Sequence, residues 1–450
     1  MSKVELMPSC RVRMAGARAA AGRLRPPAMP TTLELPPWDL LHLRRDPIRR
    51  GLLFYNDPQR RGEFKFIVDR LKNSLARTLD FFPPLSGRLG FVTHDDGTSS
   101  YFIDCNDAGA EFAHAVARGV SVSDVVEHKY VPEIVSSFFP MKETPNYDET
   151  WKPLLAAQVT ELDDGFFVGC TVNHVVADGA SFWHFFKSWS EMARGFDTIS
   201  KVPIFDRWFP SNVTDENRRI HLPPLDQNPM VNTSPPPPLL ERVFHFSKDS
   251  LAKLKNIVNL KFKDCGETST FQALSAHLWR SVARSRLSRS SKNSEEPQCF
   301  ILLVDARSRV PLPDGYFGNA VHSARIEVTE HELLENGLEF VAMKINELVG
   351  RQTREAVVKY VEDWVETPVI KRKGAANFLI VGSPRFDVYG CDFGWGKPVA
   401  SRSGGRRKFD GKVTVLPAAQ SGGIDVEVCL SPEALMAMDD DLEFMEAVTV

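Results

Sequence analysis

The segment from Ile204 to Leu240 constrains this chain more than any other. It holds Pro210, Pro223, Pro224, Pro229 and the run Pro235-Pro236-Pro237-Pro238. Proline fixes φ and lacks an amide donor, so such a stretch cannot continue a helix or a central strand. A long segment without apolar periodicity reads as an extended crossover between two folded bodies. The 450-residue chain is long enough for two domains with substantial cores. The expected organisation is an N-terminal arm over 1–34, a first domain over 35–203, the crossover over 204–240 and a second domain over 241–450.

Both halves mix helical and strand patterns, which places the chain in the α/β class. In the first half, Gly51 to Tyr55 reads as a strand and residues 65–80 as a helix, with Phe66, Ile67, Leu71, Leu75 and Leu79 at helical spacing. Pro83-Pro84 ends that helix. Strands follow at 99–104, at 154–161 and over Phe166 to Val172, then an apolar helix from Ser181 to Ala193. In the second half, strands are expected at 242–246, 300–304, 377–381, 412–416 and 424–430. Helices are expected over Ser250 to Leu260, Ser269 to Arg286 and 331–349.

Charge excludes several function classes. Lys and Arg number 55 against 58 Asp and Glu, so no global field points to nucleic acid or an anionic membrane. No apolar run approaches the ~18 residues of a membrane helix. The seven cysteines form no CxxC pair, which points to a reducing compartment rather than a disulfide framework or structural zinc. Residues 6–33 are rich in Arg and Ala and lack acidic residues. A mobile arm is the reading taken, with a transit segment as its rival. A cytoplasmic monomer is the expectation.

The chemistry centres on His174-Val175-Val176-Ala177-Asp178-Gly179, at the exit of an apolar strand. A strand end holds an imidazole rigidly, and an imidazole titrates near neutral pH as a general base should. On spacing alone, a core histidine bonded to backbone is an equal reading. Asp178 fits a salt bridge to an arginine better than a bond to His174. No metal is expected, since His184 falls inside the helix and no further ligand cluster is near. G-x-S-x-G, P-loop and G-x-G-x-x-G patterns are absent. Downstream, Asp392-Phe393-Gly394-Trp395-Gly396 suits a tight loop of packed rings. Arg402-Ser403-Gly404-Gly405-Arg406-Arg407-Lys408 reads as a solvated basic loop, with a phosphate site as the alternative.

Together these motifs resemble the plant BAHD acyltransferase family. His174 to Gly179 resembles its HxxxD motif, and Asp392 to Gly396 matches its DFGWG motif in full. Trp38-Asp39-Leu40, Pro84 to Leu89, Phe271 to Trp279, Asp305 to Arg309 and Tyr316-Phe317-Gly318-Asn319 match further, in family order, from about residue 36 to the end. Asn173 before the histidine separates the chain from the HHxxxDG condensation domains of peptide synthetases. Several features are most similar to a large subgroup with poorly defined substrates.

The resemblance implies two chloramphenicol-acetyltransferase-like domains with mixed sheets, joined by a long crossover, and a solvent channel with His174 at its middle. It implies transfer of an acyl group from acyl-CoA, a co-substrate rather than a tightly bound cofactor, to a small-molecule alcohol or amine. His174 is then the general base. Asp178 becomes structural, paired with Arg307 or Arg309. Asp392, Gly394, Trp395 and Gly396 become architecture near the channel wall. Ser383, the hydroxyl on the strand before DFGWG, is the oxyanion candidate, although Pro384 follows it where many relatives carry tryptophan. Lys255, Ser269 and Thr270 fall where relatives contact CoA, and Arg406 and Arg407 are an electrostatic suggestion of our own. The rival functions are elimination on a metabolite conjugate by the same fold, and a non-catalytic relative that only binds ligand.

Overall fold

The computed structural model describes residues 4–16, 31–56, 64–141, 151–214, 217–224, 238–261, 267–286, 296–370, 378–404 and 408–449. Within them the strands build a seven-stranded, a six-stranded and a three-stranded sheet. The first sheet belongs mainly to the N-terminal half and the six-stranded sheet to the C-terminal half, each covered by helices. The expected α/β architecture is therefore present.

The strand that leads to the histidine, Gly165–Val172, is buried along its whole length. Its aromatic and β-branched residues suit a strand covered on both faces. It pairs antiparallel with Leu155–Glu161 on one side and Ile48–Tyr55 on the other. The helix Gly179–Ala193 follows, burying Phe182, Phe185, Phe186 and Trp189. It packs on the helix Phe64–Leu79, where Trp189 Nε1 donates to Leu71 O at 3.1 Å.

Three expectations need correction. Residues 4–6 and 10–12 are strands paired with Ala110–Ala117, so the start of the arm belongs to the first sheet. The helix expected over 331–349 is two helices, Glu330–Glu335 and Leu338–Gly350, broken at Asn336-Gly337. Both bury apolar residues against one core, so a single periodicity ran through the break. The boundary at 241 also fails as a clean division. The strand Ala400–Ser403 crosses over and pairs antiparallel with Ile48–Tyr55, extending the sheet that carries the histidine strand.

The described parts of the crossover are fastened to the two halves. Ile204 bridges to Tyr316, and Leu222 to Ser99. Residues 225–237, with Pro229 and the first three prolines of the four-proline run, lie outside the described residues.

Candidate active site

His174 lies just past the last sheet bonds. Asn173 N donates to Leu154 O at 2.8 Å, and Asn173 Oδ1 then accepts Val175 N at 3.0 Å, turning the chain out of the sheet. Asp178 ends the turn as the N-cap of the next helix, accepting Ser181 N at 3.0 Å. Six residues, Asn173 to Asp178, thus run from strand end to helix start with their backbone direction set at both ends.

Asp178 spends its carboxylate on structure. Arg307 grips it with two bonds, Nη1 to Oδ2 at 2.7 Å and Nη2 to Oδ1 at 3.0 Å, and Ala320 N adds another to Oδ2 at 2.9 Å. Burial opposes ionisation, yet Arg307 and these donors outweigh it and hold the carboxyl below the usual range. The same guanidinium reaches Gly318 O and Ser181 Oγ. Asp178 is therefore paired with an arginine, as its salt-bridge reading anticipated. Arg309 does not share the role. Its Nε donates to Gln352 O and its Nη1 to Asp305 O.

A second brace acts on the histidine's own backbone. Asn319 Nδ2 donates to His174 O at 2.8 Å and to Asp39 Oδ1 at 2.8 Å. Asp39 pairs with Arg207 at 2.8 Å, both side chains almost wholly buried, and Arg207 also reaches Val176 O and Phe317 O. Three distant segments, from the entry helix Pro37–Leu40, the crossover and the second half, converge on one loop. Sequence patterns singled out the stretches holding Asp39 and Asn319 without giving those side chains a role. Arg207 carried no signal, because it sits in a non-periodic segment.

The His174 ring is half-buried, and the ring of His42 lies flat against it, with centroids 3.9 Å apart and planes inclined by 2°. Burial pushes the His174 pKa down to about 4, a trend that neighbouring Arg45 reinforces and Asp178 opposes. At neutral pH the imidazole is therefore neutral, the protonation state a general base requires, but its pKa lies well below the near-neutral value expected from the residue type.

The other expected residues divide. Asp392 Oδ1 accepts Gly394 N and Gly396 N at 2.6 and 3.0 Å, closing the DFGWG loop on itself. Gly394 and Gly396 have φ of +101° and +88°, a region that side chains disfavour. Phe393 packs edge-on against Trp189 at 5.1 Å, and Trp395 against Phe166 at 5.3 Å beneath the Arg70 guanidinium. The motif is a plug binding the second half to the core of the first.

A cavity of about 350 Å³ is lined by Thr270, Pro384, Phe386, Tyr389 and Gly422, among others. His174 is not in its lining. One link is Phe386, whose ring lies against Gly179 at the start of the helix after the histidine turn. Ser383 stands beside this cavity, with its Oγ accepting Arg385 N at 3.1 Å. Ser269 and Gln272 cap the helix Thr270–Arg286 reciprocally, and Lys255 pairs with Glu267 at 3.0 Å. Of the three residues expected at CoA, Thr270 alone lines the cavity.

The basic loop reading fails for its described members. Arg402 is buried and donates to Val125 O, while Lys408 is buried between Glu241 and Glu427. These charges serve the interior and are not available to a phosphate. Arg406 and Arg407 lie outside the described residues. Among the described residues no group of three or more His, Cys, Asp or Glu side chains could hold a metal ion, and no helix is long and apolar enough to cross a membrane.

The model of the transferase family matches residues 26–445. An Arabidopsis thaliana protein described as a BAHD acyltransferase, DCR, is 32% identical over 88% of this chain and 83% of its own length. The chain belongs to the BAHD acyltransferase family. Another Arabidopsis thaliana member, described as an uncharacterized acetyltransferase, is 38% identical over 92% of this chain and 94% of its own length. Among solved structures, vinorine synthase superposes with a TM-score of 0.70 at 18% identity, covering 99% of this chain and 98% of its own. Fusarium sporotrichioides TRI101, solved with coenzyme A and T-2, gives 0.72 at 18% identity over 93% of this chain and 99% of its own. At that identity the likeness speaks for the fold, which is the two-domain chloramphenicol-acetyltransferase-like fold. As a BAHD member the chain is an acyltransferase.

Proposed function

We propose that this BAHD member moves an acyl group from an acyl-CoA thioester to a hydroxyl or amine of a small metabolite, with His174 as general base. The observation that carries the reading is a neutral imidazole on a doubly braced turn, beside an aspartate whose oxygens are taken up by Arg307 and two backbone amides. The coenzyme A in the TRI101 complex supports the donor class.

In this mechanism His174 takes the acceptor proton as the nucleophile attacks the thioester carbonyl, a contribution of ~10²–10⁴ in rate. The tetrahedral oxyanion then collapses, and the imidazolium returns its proton to the departing thiolate. No covalent acyl-enzyme is required. Ser383 is the candidate oxyanion donor and Thr270 a candidate wall of the donor path. Asp178, Arg307 and Asn319 hold the loop in place, which matters because small misplacements of a base cost large factors in rate.

The test is a panel of acyl-CoA donors and acceptor alcohols and amines, followed by thiol release and product mass. Wild type should release thiol with at least one pair, and His174→Ala should lose roughly 10²–10⁴-fold. Equal thiol release by the two proteins would end the general-base reading.

A further inference from the structure

His42 has no part in the mechanism above, yet its ring covers one face of His174. It lies on the turn after the entry helix, where its amide donates to Asp39 O at 3.1 Å. Asp39 is bonded through Asn319 to the His174 carbonyl. The two histidines therefore share a frame of hydrogen bonds as well as a ring contact. Rings inclined by 2° with centroids 3.9 Å apart are in face-to-face van der Waals contact.

We propose that His42 is a positioning residue for His174, a flat buried wall that fixes the orientation of the base and keeps water off one of its faces. This rests on His174 being the base of the transfer proposed above. The stack leaves the edge of the His174 ring, where its nitrogens lie, as the part that can meet an acceptor. Rotation about the last side-chain torsion, which is otherwise broad for histidine, would drive the ring into its neighbour. A face covered by His42 also cannot be hydrated, and this disfavours the imidazolium.

The charged and titratable groups around the pair are few. Arg45, on the same turn, opposes protonation of both rings and is itself faced by Asp46 and by Tyr360 from the helix Arg354–Glu366. From the other side Asp178 favours the imidazolium, with its charge largely answered by Arg307. His42 is buried and held well below its ordinary pKa by burial first and then by His174. It thus serves as a neutral plate rather than as a second base.

The experiment compares His42→Ala with His42→Phe in the full chain, using a donor and acceptor pair found by thiol release. The alanine frees the ring and admits water, so kcat should fall about tenfold with KM for acyl-CoA unmoved. The acidic limb of the kcat profile should rise by about one pH unit, since a better-solvated imidazolium persists to higher pH. Phenylalanine keeps a flat dry wall and should retain both kcat and the limb. If the alanine variant does not fold, His42→Asn takes its place with the same expectation. A titration of 13C-labelled histidine by NMR reads the coupling without turnover: the His174 signal should titrate higher in His42→Ala and stay in place in His42→Phe. An unmoved limb and titration in the alanine variant would overturn the proposal. So would a phenylalanine variant that folds like wild type and fails like alanine. Absence of thiol release from wild type would count against the transferase reading instead, leaving the NMR titration to decide on His42.

Discussion

The acid response of the protein follows from imidazoles whose pKa burial lowers. In the folded chain burial holds both His174 and His277 at about 4, against an ordinary value of 6.5. The unfolded chain therefore binds more protons across that interval. Stability from these groups is fully present above pH 6.5 and is lost as pH falls towards 4. Denaturant midpoints between pH 7 and 4 should fall steadily, and His277→Gln should flatten the fall without changing thiol release. The pair Asp178–Arg307 gives a second expectation. Arg307→Met leaves a buried carboxylate unanswered and should cost about 3–5 kcal/mol, whereas Asp178→Asn together with Arg307→Met should recover part of that loss. Thermal melts of the single and double variants measure it. At this scale the sequence pattern showed His174, Asp178 and Arg307, because each stands in a local motif. Asn319 stands in a motif too, but its role, like those of His42 and Arg207, comes from contacts between segments far apart in the chain. Local spacing holds no record of those.

Among the elements, the DFGWG loop is a motif wholly legible in the sequence whose contacts in the fold are turn bonds and ring packing. Its five residues close a turn through Asp392 and drive Phe393 and Trp395 into the first domain's core. Gly394 and Gly396 both carry positive φ, but their surroundings differ. A Cβ at Gly394 would strike the Arg70 guanidinium, while one at Gly396 meets open space. Gly396→Ala should therefore cost only the backbone strain, about 1–2 kcal/mol. Gly394→Ala should cost more and release Arg70 from Trp395, visible as a larger fall in melting temperature and a change in tryptophan fluorescence. Equal losses at the two positions would contradict this account. The elements carrying strong periodicity, such as Phe64–Leu79 and Thr270–Arg286, stand within a residue or two of where their apolar spacing put them. The strand Ala400–Ser403 gave no such signal. It has four residues, too few for a period, and its partner strand is in the other half of the chain.

Across the whole molecule, the proline-rich crossover joins two domains, and contacts beyond it bind them to each other. Ala400–Ser403 completes an edge of the first sheet from the second half. Ser403 is bonded to Glu427, which shares Lys408 with Glu241, so the donated strand is tied by buried charge to the sheet it left. On another face Val131 N donates to Glu241 O at 2.8 Å, and Tyr130 Oη to Asp439 Oδ2 at 2.8 Å. The loop bearing His174 is itself held by Arg307 and Asn319 from the second half and by Arg207 from the crossover. A first half made alone would expose an unpaired sheet edge, a known route to aggregation, and would leave Asp178 buried without its counter-ion. We therefore expect residues 1–238 and 239–450, expressed separately, to be insoluble or unfolded. Co-expressed, they should associate and recover thiol release, because the interface supplies the missing strand, plug and ion pair. Size-exclusion chromatography and thiol release on the separate and combined halves decide the matter. A soluble first half whose strand amides exchange as slowly as in the intact chain would show that the crossover joins independent domains after all.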